Sequence, residues 1–474
     1  MLTDLSFLDT GKEWPPPSER KRLDLYRDNR ALFEGRWHET AGKDARRVQQ
    51  IIGDYEDKIS YELLLNYQQL VSKKVADLMF SEWPTITSDD EDMQGFVDDL
   101  IMRSALTLQC YEAALDVSRY GDGTLGVAKW DDGVQVYVGR TDCWFPVVDP
   151  SNIKRRLYDV IAIDVTPDAA NPDERELHIE IHGSGTNEVR KHRLAGGMVG
   201  PELTPPQITS TGLAFRDFWQ ITNVATSDSV HGLDDYTNIN SLVEELQVRF
   251  AQIAKVLDKF TEPVIIGPES ALSPILDSDG NPSGYYEFRT GNFIINRGKL
   301  DQESADVKFG VWDASLDAAF TQIDRILGQV RTVSELGALL SDTSERMGQM
   351  PTGAALRTLL TNAIAKVARI RMTFDPVLKQ AIKAAAAMAG ITPGDVSIKW
   401  FDGLPENPVE TAQILQMRTG GKQTLSIARA IMDADGMTAA EAEAECETIQ
   451  SENTDMDASV PDNPYEEPDD ADTA

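Results

Sequence analysis

Only three cysteines occur in the 474 residues, Cys110, Cys143 and Cys446, and no two form a CxxC pair. That spacing argues against a disulfide framework and against a structural zinc site, and it fits a reducing compartment. Histidine is equally scarce, with five in all, none closely paired with a cysteine. No run of about 18 apolar residues occurs, so no membrane span is expected. The opening Met-Leu-Thr-Asp-Leu-Ser-Phe-Leu-Asp has neither a basic region nor a long apolar core, which excludes a secretory signal. Basic residues are also in deficit: 45 Lys and Arg stand against 78 Asp and Glu, a formal net charge of −33. Proteins that grip nucleic acid tightly replace its counterions with Lys and Arg, so this chain repels DNA on average. Catalytic signatures are missing too. There is no GxxxxGK[ST], so no ATPase is encoded, and no GxSxG, HExxH or paired-carboxylate motif stands in a suitable context. The reading is a non-enzyme without cofactor or metal.

The length suggests roughly two to four domains. The chain mixes helical and strand patterns in separate blocks, an α+β composition. Helices are predicted over 18–33, 61–80 and 91–120, the second carrying Leu63, Leu64, Tyr67, Leu70, Val71, Val75, Leu78 and Met79 on one broad face. Strands follow over 125–130 and 134–138, joined at Asp131-Asp-Gly133, a hairpin signal. More lie over 145–149, 160–165, 176–182 and 187–193, and the Gly/Pro-rich 195–206 reads as a loop. From 234 onward Ile239, Val243, Leu246, Phe250, Ile253, Leu257 and Phe260 alternate steps of four and three, a seam at heptad spacing. After a β-type insert the spacing returns at Leu316, Phe320, Ile323, Leu327 and Val330. A long helix over 352–389 carries Leu356, Leu359, Leu360, Ala363, Ile364, Val367, Ile370 and Phe374 in one stripe, with Pro376 expected to kink or split it. From Ser451 to the end there are nine acidic residues and no basic one, the composition of a disordered, solvating tail.

Two motifs match functional patterns to the letter but not in context. Gly121-Asp-Gly-Thr-Leu-Gly126 is a GxGxxG. A dinucleotide site needs it after a strand and opening a helix; here it follows a helix and opens a strand, so a helix-to-strand turn is the better account. Asp277-Ser-Asp-Gly-Asn281 begins like a calcium loop, but Pro282 stands where Gly is required and Phe288 where Glu is. A tight turn at an exposed tip is expected instead. His178 and His182 share a strand face, and two ligands make no metal site.

The order of parts resembles the tailed-bacteriophage portal protein family. Residues 66–80 are similar to its wing helix. Gly121-Asp-Gly-Thr-Leu-Gly126 and Phe145-Pro-Val-Val-Asp-Pro150 resemble its wing β-region, and His231-Gly-Leu-Asp-Asp-Tyr236 its lead-in to the stem. Thr352-Gly-Ala-Ala-Leu-Arg357, the long helix and Leu404-Pro-Glu-Asn407 resemble its C-terminal third. The resemblance implies a portal fold: wing 1–235, first stem helix 236–260, clip 261–313, second stem helix 314–340, tunnel loop 341–353, long kinked helix 354–389, helical crown 390–450 and acidic tail 451–474.

It further implies a ring of about twelve copies at a capsid vertex, assembled in the host cytoplasm. Double-stranded DNA passes through it during packaging and ejection without being bound sequence-specifically. Implied partners are the terminase large subunit, a head-completion or adaptor protein, and the major capsid and scaffold proteins; no membrane is involved. Under this resemblance Glu345, Arg346, Met347, Gln349 and Met350 form a DNA-facing collar, and Asp277, Asp279 and Asn281 a docking tip. Ile239, Val243, Leu246, Phe250, Ile253, Leu257, Leu316, Phe320, Ile323 and Leu327 form a seam between subunits. The basic residues of the long helix, Arg357, Lys366, Arg369, Arg371, Lys379 and Lys383, are expected to pair across the subunit interface rather than face DNA. The alternatives are a capsid or tail adaptor, or a protein-binding scaffold, that forms no ring; there the seam would pack within one chain. An oxidoreductase built on 121–126 would show itself by nucleotide binding.

Overall fold

The computed structural model describes residues 1–40, 65–261, 264–267, 272–287, 293–295, 308–310, 316–340, 357–401, 403, 408–420, 423–435 and 439–458. The chain divides into two compact units, residues 1–348 with 359–403, and residues 349–358 with 404–474. Helix and strand both contribute heavily, as the α+β reading expects.

The first unit opens with helices α1 (Arg20–Phe33), α2 (Tyr67–Phe80), α3 (Glu91–Arg103) and α4 (Leu106–Tyr120), with strand β1 (Thr85–Ser88) between α2 and α3. The sequence predicts one helix over 91–120, and the structure has two. Ser104 turns its hydroxyl outward to accept the Val136 N–H at 3.0 Å, and Ala105 takes φ 46°. A side chain that bonds outside the helix, followed by a left-handed residue, ends one helix and restarts the next.

Strands β2 (Asp122–Trp130) and β3 (Gly133–Val138) form the expected hairpin, and β9 (Phe218–Thr222) joins the other side of β2. A five-stranded antiparallel sheet runs β4 (Trp144–Asp149), β5 (Asn152–Val165), β6 (Arg175–His182), β7 (Thr186–Ala195) and β8 (Met198–Ser210) in sequence order. Strand β8 replaces the loop expected at 195–206. Its Pro201, Pro205 and Pro206 are tolerated because β8 is an edge strand, and the pairing with β7 shifts register around them. The N-terminal segment spans this sheet. Leu2 bridges Val147 on β4, Glu13 bridges Met198 on β8, and Phe7, Leu8 and Trp14 fill the core between with Phe145, Leu177, Ile179 and Ile181.

Helices α5 (Asn240–Thr261) and α6 (Asp317–Val333) pack on each other around Leu246, Ile253 and Ile323. Between them lie short strands: β10 (Val264–Gly267) pairs with β13 (Phe293–Ile295) and β14 (Lys308–Gly310), and β11 (Ser273–Leu276) with β12 (Pro282–Glu287). Helix α7 (Thr361–Ala389) is a single helix of 29 residues that runs through Pro376 without being split. Of the expected stripe, Leu360, Ala363, Val367, Ile370 and Phe374 are buried and Ile364 is half-buried, whereas Leu359, ahead of α7, is exposed and Leu356 lies outside the described residues. Strand β15 (Val396–Lys399) pairs antiparallel with β1.

The second unit holds α8 (Pro408–Thr419), α9 (Ile427–Asp435) and α10 (Ala439–Ala458), with Ala430 and Ala442 buried. Helix α10 carries regular structure into the segment expected to be disordered, as far as Ala458. Among the described residues no helix is long and apolar enough to cross a membrane.

Candidate functional site: the root of the paired helices

The segment 231–236, which leads into α5, is rich in hydrogen-bonding side chains, and almost all of them are spent in the interior. Asp122, the first residue of β2, is fully buried. Its Oδ2 accepts the Tyr26 hydroxyl at 2.9 Å and His231 Nδ1–H at 2.9 Å. Its Oδ1 accepts Gln220 Nε2–H at 2.6 Å and the Gly232 N–H at 2.9 Å. Two donors on each oxygen saturate the carboxylate, which is how a buried charge is tolerated without leaving unmet polar groups. Three separate stretches of chain meet on this one side chain.

Asp234 turns back on its own backbone, accepting the N–H groups of Tyr236 and Thr237 at 2.7 Å each, an Asx-type cap that starts the helical turn. Asp235 faces the interior. Its Oδ2 accepts Ser118 Oγ–H at 2.7 Å, and its Oδ1 receives Asn223 Nδ2–H at 2.8 Å and Lys366 Nζ at 2.8 Å. Each hydroxyl has one proton to give, which fixes the direction of the chain behind it. Ser118 gives its proton to Asp235, Ser72 donates to Ser118 at 3.0 Å, and the buried Tyr236 hydroxyl therefore donates to Ser72 at 2.7 Å. The relay ties α2, α4 and the start of α5 to α7.

Glu19 sits beside His231, with Nε2 and Oε2 3.7 Å apart. Burial alone would raise the Glu19 carboxyl, but His231 and Arg22 together hold it well below the usual carboxylate range. Burial would lower the His231 imidazole; its bonds to Asp122 and Glu19 outweigh that and leave it raised above 6.5. A raised imidazole contributes stability that is complete below pH 6.5, its unfolded value, and that fades as pH rises through the higher folded value. His231→Gln is therefore expected to remove part of the loss of melting temperature seen on raising pH from about 6 to 8. Equal slopes for the two proteins over that range would show that His231 carries none of it.

The residues singled out from sequence distribute unevenly. Glu345, Arg346, Met347, Gln349 and Met350 lie outside the described residues. Asp277, Asp279 and Asn281 form the turn between β11 and β12, where the Asp277 carboxylate accepts the N–H groups of Asp279 at 3.0 Å and Asn281 at 2.9 Å. Asp277 thus shapes the tip while Asp279 and Asn281 are exposed on it. Within the seam, Ile239, Val243, Leu246, Ile253 and Ile323 are buried inside the chain, and Phe250, Leu316 and Leu327 pack partly against the same cluster. Leu257 and Phe320 remain 48% and 47% exposed. Much of the described seam is therefore used to join α5 to α6 within one chain, and Leu257 and Phe320 are its most exposed apolar positions among the described residues.

The basic residues of α7 have partners within the chain. Lys366 pairs with Asp235, Arg369 with Glu335, Lys379 with Asp375 and Lys383 with Asp395, while Arg371 donates to the Met79 carbonyl and lies over Trp400. The Gly121-to-Gly126 motif is a helix-to-strand turn, between α4 and β2. Sequence reasoning missed Asp122 and Lys366 as the organising charges; the usable signal was the density of bonding side chains in 231–236, a run too polar for a plain linker.

A polar, cross-linked lead-in thus precedes two paired helices that have short strands between them and a long helix after them. The phage portal protein family described as SPP1 Gp6-like matches residues 218–454, and the chain belongs to it. A portal protein is a structural component, not an enzyme. The solved structures similar to the chain include the neck of an empty GTA particle computed with C6 symmetry, with TM-score 0.42 and 14% identity over 83% of this chain and 94% of that one. They also include the neck of a native GTA particle computed with C12 symmetry, with TM-score 0.40 and 13% identity over 86% and 93%. A third is the virion of a native gene transfer agent particle, with TM-score 0.37 and 11% identity over 83% and 94%. No curated protein matches the chain.

Proposed function

We propose that the chain assembles into a closed ring of about twelve copies at a capsid vertex, through which double-stranded DNA is packaged and later released. The observation that carries this reading is the family match over 218–454, which spans both paired helices, the strands between them and α7. In this reading α5 and α6 are the stem, the strands between them the clip, and 341–353 the tunnel loop. The net charge of −33 suits a wall that DNA slides past, because repulsion keeps the polymer from sticking. No motor sequence is present, so a terminase supplies the force, docking with head-completion proteins at the exposed tip of Asp279 and Asn281.

Among the described residues of the seam, Leu257 and Phe320 are the apolar positions most open to a neighbouring copy. The double substitution Leu257→Asp with Phe320→Asp is expected to abolish rings in native mass spectrometry and negative-stain images. Its melting temperature should stay within a few degrees of wild type, since exposed positions contribute little to folding. Rings of unchanged number and size would refute the assignment of the interface. A second reading, a protein-binding scaffold that does not close, is favoured by one observation: Leu246, Ile253 and Ile323 are already satisfied inside one chain. A wild-type protein that stays monomeric alone and with its capsid and scaffold partners would select it.

A further inference from the structure

Lys366 on α7 is only 3% exposed. Its Nζ lies 2.8 Å from Asp235 Oδ1 and donates to the Ser334 carbonyl at 3.0 Å. Asp235 stands just before α5, and Ser334 is the residue that closes α6. One buried ammonium therefore ties the lead-in of α5 to the end of α6. The residue after Ser334 is Glu335, with φ 63°, a left-handed backbone that non-glycine residues disfavour. Its carboxylate pairs with Arg369, one turn along α7 from Lys366 and on the same helical face. Both Glu335 and Arg369 are substantially exposed, so that pair is a weak hold, and the buried lysine is the stronger one. Leu336, fully buried, anchors the far side of the turn.

From this geometry we infer that Lys366 and residues 334–336 form a conformational latch. While the ammonium spans Asp235 and Ser334, Glu335 stays in its disfavoured backbone and the end of α6 stays tied to α7. When the ammonium leaves, Glu335 relaxes toward the ordinary helical or extended region, and the ends of α5 and α6 come free of α7 together. The strain is what gives the device two positions: without it, removing the lysine would loosen a contact and move nothing. In the portal reading proposed above, on which this consequence rests, α7 follows the tunnel loop, so the latch links the state of the stem to the segment nearest the DNA.

The test is amide hydrogen exchange on the full chain as it purifies. Lys366→Met alone leaves the Asp235 carboxylate buried without its countercharge, a change that compromises folding by itself. Lys366→Met combined with Asp235→Asn removes both charges and leaves an amide to meet Ser118, so folding is retained. In that double variant exchange over 331–340 and over 361–370 should accelerate together by at least tenfold, with 106–130 unchanged. Adding Glu335→Gly, which is at ease with positive φ, should return the 331–340 rate toward wild type. Unchanged exchange, acceleration in only one of the two segments, or no rescue by the glycine would overturn the latch. The measurement needs no ring: failure of the wild type to form rings counts against the assembly proposed above and leaves the latch standing.

Discussion

Asp122→Ala is expected to destabilise the protein by about 3–5 kcal/mol in denaturant unfolding, the scale for breaking a buried, fully bonded charge. The carboxylate is completely buried and accepts four donors from three other stretches of chain. Alanine would leave Tyr26, Gln220, His231 and the Gly232 N–H without their acceptor, and each buried donor left unmet costs about 1–3 kcal/mol before relaxation or water entry. His231 would also lose one of the two carboxylates that hold its proton, so the pH dependence described above should shrink in the same variant. Asp122→Asn is a useful companion, because it keeps the shape but turns one oxygen from acceptor into donor. It should fall between wild type and alanine. A loss below about 1 kcal/mol for alanine, the worth of a single ordinary hydrogen bond, would mean that Asp122 is a bystander.

The second large effect is expected at Gly121. Its φ is +82°, and a Cβ there would lie 2.5 Å from the Gly232 carbonyl oxygen. Gly232 faces the same obstruction in return, from the Gly121 carbonyl oxygen. The two glycines let the turn after α4 and the turn before α5 touch backbone to backbone, with no side chain between them. Gly121→Ala adds a left-handed penalty of roughly 1–2 kcal/mol to an overpacking cost of roughly 1–3 kcal/mol. A combined loss of about 2–5 kcal/mol is expected by thermal or denaturant unfolding. Binding of dinucleotides should be absent in wild type and variant alike. If the variant instead lost a measurable nucleotide affinity at unchanged stability, the glycines would belong to a ligand site and the turn reading would be wrong.

Much of the architecture is legible in the sequence because the deciding forces are local. The hairpin at Asp131-Asp-Gly133, the antiparallel pair of β6 and β7, and the two seam helices each follow from patterns within a dozen residues. The failures share one cause. Prolines at 201, 205 and 206 predict a loop unless the strand is known to lie on an edge, which only the assembled sheet decides. Ser104 looks like a helical residue until Val136 is placed beside it. Pro376 is tolerated in a helix whose other residues are held by tertiary packing, with Phe374 and Leu378 buried on either side of it. The seam illustrates the same limit for function. Heptad spacing shows that a face will be covered, but not whether by the same chain or another copy, and here Leu246 and Ile323 cover each other. Likewise the cations of α7 have local partners at Asp375 and distant ones at Asp235, Glu335 and Asp395, and spacing along one helix cannot tell them apart.

The N-terminal strap over the five-stranded sheet has a consequence for solubility. An open ladder invites a strand from another molecule and so seeds fibres. Here one border of the sheet is taken by Leu2 on β4, where the Val148 N–H donates to the Leu2 carbonyl. The other border is taken at its start by residues 11–14, bonded to Gly197 and Val199. Beyond them the prolines of β8 deny an incoming strand the donors it would need. This sheet therefore presents few free donors along β8 to a strand of another copy, which lowers its own tendency to seed cross-β polymers.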